Sequence, residues 1–448
     1  MADSSAAELA RRVGRKLQVC GHAAYLVGGC VRDLLLEREP KDYDLATDAR
    51  PERVLALFPG SQLVGAHFGV VLVREGEAEV EVATFRSDHS YLDGRHPSEV
   101  RFETDPRQDV LRRDFTINAL LMDPRGDQVL DFVGGREDLA RGVIRAIGEA
   151  EARFGEDHLR MLRAIRFAAR FSFEIEAGTF AAIQRLAERI RAISAERIRD
   201  ELVLILTEGA AARGLDLLDG SGLLEVLLPE VAAMKGVAQP PEFHPEGDVW
   251  THVRLMLGEM RAPTPTLALG VLLHDVGKPR TFAVRERIRF DGHAELSAQM
   301  AIGILTRLKF SNDDIRHVTA LAAHHLRFKD ITRMRTSTLK RFLRMDRFEE
   351  HLELHRLDCI SSHRLLGHYY FAKSKLGEFS TEQLKPRPLL SGHDLIAAGY
   401  RPGPSFAKML KAVEDAQLEG EIHTREEGLE LVRARFEAPE GGPTPGGR

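Results

Sequence analysis

The chain has 448 residues, 43% of them apolar and 29% charged, an ordinary globular composition too long for one compact core, so roughly two to four domains are expected. Three scattered cysteines (Cys20, Cys30, Cys359) exclude a disulfide frame and a thiolate metal site, and no run reaches the ~18 apolar residues of a membrane span. The net charge of −5 argues weakly against a general nucleic-acid coat, although local clusters rather than totals set phosphate binding. The N-terminus has no apolar h-region, so the chain is read as cytoplasmic, with no membrane partner.

Residues 5–20 have the spacing of an amphipathic helix leading into a strand over 25–29. The stretch YLVGGCVRDLLLEREPKDYD, Tyr25–Asp44, then combines three features. Gly28 and Gly29 lack the Cβ that would hold the backbone off a bulky anion, and Arg32 follows them. Asp42 and Asp44, at i and i+2 of an expected strand, would turn two carboxylates to one spot, a usual way to hold Mg²⁺ with substrate phosphates. A lone GG is an ordinary turn and a lone DxD a solvated loop; together, with VRD between them, they are far more specific. The combination resembles the head shared by class II tRNA nucleotidyltransferases (CCA-adding enzymes) and bacterial poly(A) polymerases. That resemblance implies an α+β protein: a nucleotidyltransferase (polymerase beta-like) α/β head followed by an all-α neck, a body with an HD domain, and a tail.

After the DxD, ATDARPERVLALF reads as a helix with Asp48 near its cap and Pro51 in its first turn, and FGVVLV and AEVEVATF as two strands. Glu79 and Glu81 lie on the second, where a third carboxylate would complete a two-metal site. The resemblance selects Glu81, with Glu79 as the alternative and a solvent-facing pair as the plain reading. Arg86–Phe102 is polar and marked by Gly and Pro, so a mobile loop is expected. In CCA-adding enzymes a loop here helps switch from C to A addition, and its full length implies a chain able to add A.

LRRDFTINALLMD, Leu111–Asp123, opens a buried helix or strand, with Asn118 four residues after Asp114. The family's RRDFT-N-A pattern implies Arg113 on the incoming nucleotide, Asp114 near its ribose, and Asn118 in the same site. DFVGGREDL is a turn. Gly155–Phe171 has the periodicity of one amphipathic helix, which puts Asp157 and Arg160 on one face. A carboxylate beside a guanidinium can mimic a Watson–Crick edge: Asp accepts from the exocyclic amine of C or A, which G and U do not present there, and Arg donates. The EDxxR spelling resembles the family's base-reading motif. Arg163 and Arg166 continue the face and are assigned to phosphates; ISAERIRDELVLIL is read as a structural helix.

Residues 250–360 carry His252, His274 with Asp275, His293, His324 with His325, and Asp358. The order H…HD…H…HH…D resembles the HD phosphohydrolase superfamily and implies a divalent transition metal or Mg²⁺ there. Between Arg327 and Arg347 eight Lys/Arg stand against Asp330 and Asp346, either an RNA surface or a solvated helical face. Pro388–Phe436 holds two or three helices, and a Gly/Pro-rich tail is expected to be disordered.

The resulting division is 1–145 head, 146–245 helical neck for base and RNA recognition, 246–387 HD domain and 388–448 tail. The expected activity is template-independent addition of C and A from CTP and ATP to a tRNA 3′ end, with Asp42, Asp44 and Glu81 catalytic around Mg²⁺ and with Gly28, Gly29 and Arg32 on phosphates. PKDYD is close to the poly(A) polymerase spelling, so poly(A) or A-only addition is the alternative within the family. Rivals from other classes are an HD phosphohydrolase with a relic head and a non-catalytic RNA binder. The sequence carries no signal of oligomeric state.

Overall fold

The computed structural model describes residues 5–64, 69–91, 97–126 and 128–436, with side chains 88–99 outside the description. It forms two compact units: Met1–Met234 with Met260–Leu269 and Gly303–Ser311, and Lys235–Glu259 with Gly270–Ile302 and Asn312–Arg448.

The first unit opens with helix α1 (Ser5–Val19), which buries Ala7, Ala10, Val13 and Leu17, the spacing of a helix face laid on a core. There follow β1 (Ala24–Val27), α2 (Gly29–Leu35), β2 (Asp44–Thr47), α3 (Pro51–Leu57), β3 (Gln62–Val64), β4 (Val70–Glu75) and β5 (Ala78–Thr84). Next come β6 (Arg86–Tyr91), β7 (Pro97–Phe102), α4 (Pro106–Leu111), β8 (Leu121–Met122) and β9 (Val129–Leu130). Seven strands form one sheet in the order β3-β4-β5-β2-β1-β8-β9. On β5, Val80 and Val82 are buried while Glu79 and Glu81 are exposed, the period-2 pattern of a sheet with one buried face. Val27, Ala46, Phe85, Val110 and Leu121 close a core beneath the sheet.

The register places the site. Val27 pairs with Asp44 across antiparallel β1 and β2, and Asp44 pairs with Glu81 across parallel β2 and β5. The end of β1, the start of β2 and the middle of β5 therefore meet at one edge of the ladder. The chain turns out of the sheet there through Gly28, at a φ of 73° that L side chains rarely adopt.

Three expectations are corrected. The 25–29 strand ends at Val27 and β2 begins at Asp44, so Asp42 precedes the strand rather than sharing it. The reason is the register: beyond Val27 the chain enters α2, leaving no β1 residue for Asp42 to pair with. The segment read as a mobile loop instead carries a two-stranded antiparallel ribbon, Arg86 opposite Phe102 and Tyr91 opposite Pro97; residues 92–96 lie outside the described residues. The single helix expected over Gly155–Phe171 is two, α6 (Ala150–Glu156) and α7 (Arg160–Phe171), after α5 (Gly135–Arg141). Asp157 breaks it: as the C-cap of α6 its backbone is extended, at φ −145° and ψ 107°, and its Oδ1 accepts from the Leu159 N–H at 3.0 Å, tying down the turn before α7. Helices α8 (Ala177–Leu186) and α9 (Ala195–Thr207) complete the segment that matters for the site.

The second unit is helical, with one two-stranded ribbon, Ala283–Val284 against Ile288–Arg289, among the described residues. Part of the basic run at 327–347 is paired within this unit. Arg341 reaches Glu414 and Asp415, Arg344 reaches Glu414 at 2.5 Å, and Arg347 reaches Asp313. Lys340 donates to the Leu418 carbonyl at 2.7 Å. These pairs hold the Thr336–Leu343 and Pro404–Glu419 helices together, which favours the structural reading of the run. No helix among the described residues is long and apolar enough to cross a membrane. The expected α+β arrangement, a sheet-bearing head followed by helices, is the one observed.

Candidate active site and metal centre

A cavity of about 490 Å³ in the first unit is lined by Gly28, Gly29, Arg32, Asp44, Arg113, Asp114, Asn118, Asp157, Arg160, Arg163 and Arg166, together with Arg112, Leu159, Phe167, Arg170 and Arg197. Its volume is in the range of small-ligand sites. Eight arginines face it against three aspartates, so it suits a polyanion such as a triphosphate. Asp42 and Glu81 are not among the lining residues, but both raise the pKa of Asp44. Burial first, and then Glu81 beside it, push the Asp44 carboxyl up to about 6. Carboxylates crowded without a counter-charge are the donor set a divalent cation relieves, and the nearby Arg113 relieves them only in part.

The floor is built from paired charges. Arg32 is buried; its Nε donates to Asp33 at 2.8 Å, its Nη1 to Asn118 Oδ1 at 2.6 Å, and its guanidinium lies over the Phe171 ring at 4.6 Å. Arg113 is held by Asp109 at 3.0 Å and donates to the Asn118 carbonyl, and a Cβ on Gly28 would lie 3.2 Å from its Nη1. The glycine turn therefore lies against the arginine expected on the nucleotide.

Asp114 accepts from the Phe115 N–H at 2.8 Å, from Asn118 Nδ2 at 3.1 Å and from Arg163 twice, at 2.9 and 2.7 Å. Burial alone would raise its pKa, but Arg163 and the Asn118 bond hold it down to about 2. Removing Arg163 leaves this carboxylate buried with only neutral hydrogen-bond donors, the Phe115 N–H and Asn118. Because the Arg163 side chain is 35% exposed to the cavity, the cost is set below that of a fully buried pair. Arg163→Ala is expected to lose about 2 kcal/mol at pH 7, measured by denaturant midpoints. A carboxyl depressed in the folded state contributes stability above its unfolded pKa, so the difference between wild type and variant should shrink as pH falls below about 4.

Asp157 and Arg160 both line the cavity but do not form the expected pair. Arg197, from the α9 helix read as merely structural, holds Asp157 Oδ2 at 2.8 Å. Arg160 instead meets Glu156 at 2.6 Å and the Arg112 carbonyl at 3.2 Å. Arg166 is engaged by Glu201 at 3.3 Å. Arg170 and Phe167 could have been found by extending the α7 stripe; Arg197 gave no signal because its partner lies 40 residues away.

In the second unit, His252 on the Val249–Glu259 helix, His274 and Asp275 after Leu273, His293 opening the next long helix, His325 and Asp358 converge. Asp275 Oδ1 lies 3.4 Å from His293 Nε2 and 3.7 Å from His325 Nε2 and is buried without a hydrogen-bond partner. Its Oδ2 meets His274 Nε2 at 3.2 Å and Lys278 at 2.7 Å, and Asp358 lies 3.2 Å from His252 Nε2. Two ligand triads that share Asp275 result, His252–His274–Asp275 and Asp275–His293–His325. A buried, unsatisfied carboxylate oxygen facing imidazole nitrogens fits a divalent metal. His324 is a correction: its ring lies 6.3 Å from that of His351, outside these triads. Adjacent helical positions point about 100° apart, so His324 and His325 cannot both face one centre from regular helix. Missed from the sequence were Lys278 and the His244–Glu246 pair.

Comparison with known proteins matches three stretches of the chain. Residues 24–145 match the family described as Poly A polymerase head domain, 172–235 the probable RNA and SrmB-binding site of polymerase A, and 248–359 the HD domain. The chain is 43% identical over 212 residues to a CCA-adding enzyme of Streptococcus sanguinis, covering 47% of this chain and 53% of that protein. It is 46% identical over 219 residues to the CCA-adding enzyme of Geobacillus stearothermophilus, covering 49% and 54%. By sequence, the chain thus spans about half the length of the curated relatives it matches. The fold is similar to the crystal structure of the Bacillus stearothermophilus CCA-adding enzyme in complex with CTP, with TM-score 0.73, 27% identity and coverage of 96% of this chain and 98% of that one. A Thermotoga maritima CCA-adding enzyme complexed with tRNA shares the fold at TM-score 0.58 and 22% identity, over 95% and 94% of the two chains.

Proposed function

We infer that this chain, which has the head, RNA-binding segment and HD domain of the family uniting class II tRNA nucleotidyltransferases and bacterial poly(A) polymerases, adds C and A to the 3′ end of tRNA without a template. The observation that carries this reading is the single cavity uniting the Gly28–Gly29 turn, Asp44, an arginine cluster and Asp157. The proposed division is 1–145 head, 146–245 neck, 246–387 HD domain and 388–448 tail, in a cytoplasmic protein.

The tRNA 3′-oxygen bonds to the α-phosphorus of CTP or ATP as the bond to the β-phosphate bridge oxygen breaks, releasing pyrophosphate. Asp42, Asp44 and Glu81 would hold Mg²⁺, which when bound neutralises phosphate charge and lowers the pKa of the attacking hydroxyl. Gly28 and Gly29 admit the triphosphate close to backbone N–H groups, and Arg32, through Asn118, fixes the turn and the Arg113 side chain beside it. Asp114, clamped by Asn118 and Arg163, faces the ribose. Asp157 accepts from the exocyclic amine of C or A, and Arg160 donates to the base; Arg197 holds Asp157 in place. Offered the four labelled nucleotides singly, the protein should add C to tRNA ending in N or NC and A to tRNA ending in NCC; equal use of U or G would overturn the reading.

The HD residues His252, His274, Asp275, His293, His325 and Asp358 would hold a divalent transition metal or Mg²⁺, which supplies an activated water for phosphate-ester hydrolysis. Asp275→Asn is expected to abolish metal-dependent phosphatase activity on a chromogenic phosphate ester while nucleotide addition continues. Unchanged hydrolysis would refute the HD assignment.

A further inference from the structure

The segment before His252 carries a carboxylate that the sequence reading left out. The Glu246 side chain is 6% exposed, and its Oε1 lies 2.7 Å from His252 Nδ1 and 2.8 Å from His244 Nδ1. The His252 approach does not meet linear hydrogen-bond geometry and is a close ion pair. An ionised carboxylate only accepts, so each Nδ1 facing it carries the proton. The opposite His252 nitrogen, Nε2, faces Asp358 at 3.2 Å.

The turn bearing Glu246 is anchored. Asp248 Oδ1 accepts from the Thr251 N–H at 2.8 Å, and its Oδ2 accepts from the Gly236 N–H at 2.6 Å. Gln239 N donates to the Gly247 carbonyl at 3.2 Å, and Gly247 stands at a φ of 117°, so the reversal there is one a side chain would strain. A buried carboxylate on a fixed turn, closed on a histidine whose other nitrogen faces a ligand cluster, is the arrangement in which an outer carboxylate orients a metal-binding imidazole and raises its basicity.

We propose that Glu246 is a positioning residue of the HD centre: it faces and holds the Nδ1–H of His252, fixing the tautomer whose Nε2 lone pair faces the metal position. This rests on the HD cluster being a metal site, and the experiment separates the two claims. Metal-free full-length protein is titrated with Co²⁺, following its visible absorption and competition with a chelator. The quantity read is the part of the binding that Asp275→Asn removes. Glu246→Ala should weaken that part roughly 10–100-fold, and Glu246→Gln, which keeps an acceptor but not the charge, by less. Nucleotide addition by the head should be unchanged in both variants. Wild-type Co²⁺ affinity in folded Glu246→Ala would overturn the role of Glu246 while leaving the metal site standing. If Asp275→Asn removes no binding from the wild type, the metal site fails and Glu246 with it. Should Glu246→Ala not fold, Glu246→Gln decides alone: weakened binding supports the role and native affinity overturns it.

Discussion

Asp44→Asn is expected to stop nucleotide addition and, at the same time, to make the metal-free protein more stable. The loss of activity should be at least about 10³-fold, the upper end for removing one electrostatic stabiliser of a transition state, because Asp44 is the one acidic residue of the DxD that both starts β2 and faces the cavity. The gain in stability has the opposite sign for the same reason. Burial, and then Glu81, push the Asp44 carboxyl up to about 6, above its ordinary 3.8. A carboxyl raised in the folded state binds its proton more tightly there than in the unfolded chain. Metal-free stability therefore falls as pH rises from about 4 to about 6, and the penalty is complete above that window. An asparagine carries no such penalty, so thermal unfolding at pH 7 in chelator should shift upward, by ~1–2 kcal/mol after allowing for the open cavity. Saturating Mg²⁺ should erase the wild type's deficit. A variant that lost activity and stability together would mean that Asp44 is a structural residue.

Asp157→Ala should lose base discrimination or stop incorporation. One bidentate hydrogen-bonded match between side chains and a base edge is worth about 1–3 kcal/mol, so preference for C and A over U and G should fall by ~5–150-fold. Arg197 makes a second arm available. Because Arg197 holds Asp157 Oδ2 at 2.8 Å, Arg197→Met should erode selectivity in the same direction but less steeply. Steady-state incorporation from the four labelled nucleotides reads both variants. Selectivity unchanged in Asp157→Ala would disprove the base-edge account.

How much could be seen in advance depended on whether a residue's partners were near in sequence. The glycine turn, the RRD segment and the arginines of α7 all line the cavity, because each was read from local spacing that the fold preserves. The placement of Asp42 failed because strand length is set by the partner strand: β1 stops at Val27, and nothing in KDYD reports that. The base-reading helix failed for a local reason that apolar periodicity hides, since Asp157 ends one helix in an extended conformation and its carboxylate ties down the turn before the next. Arg197 was invisible because its importance lies in a contact 40 residues away. The polar ribbon at 86–102 was hidden because its strands lack the alternating apolar face by which strands are recognised. The clustering of the HD residues was legible from their order, except that two adjacent histidines did not both turn inward; His325 does and His324 does not. Glu246 lies in a Pro/Glu-rich stretch whose composition reads as a junction, although its turn is tied down by Asp248.

The central claim, stepwise addition of C, C and A, is tested most directly by offering labelled CTP or ATP, separately and together, to tRNAs ending in N, NC and NCC. C should enter the first two, A should enter only the third when supplied alone, and both together should bring all three to the same finished end and stop. Long A tails on every substrate, or A entering all three without C, would contradict the account and identify the chain as an adenylate-adding enzyme.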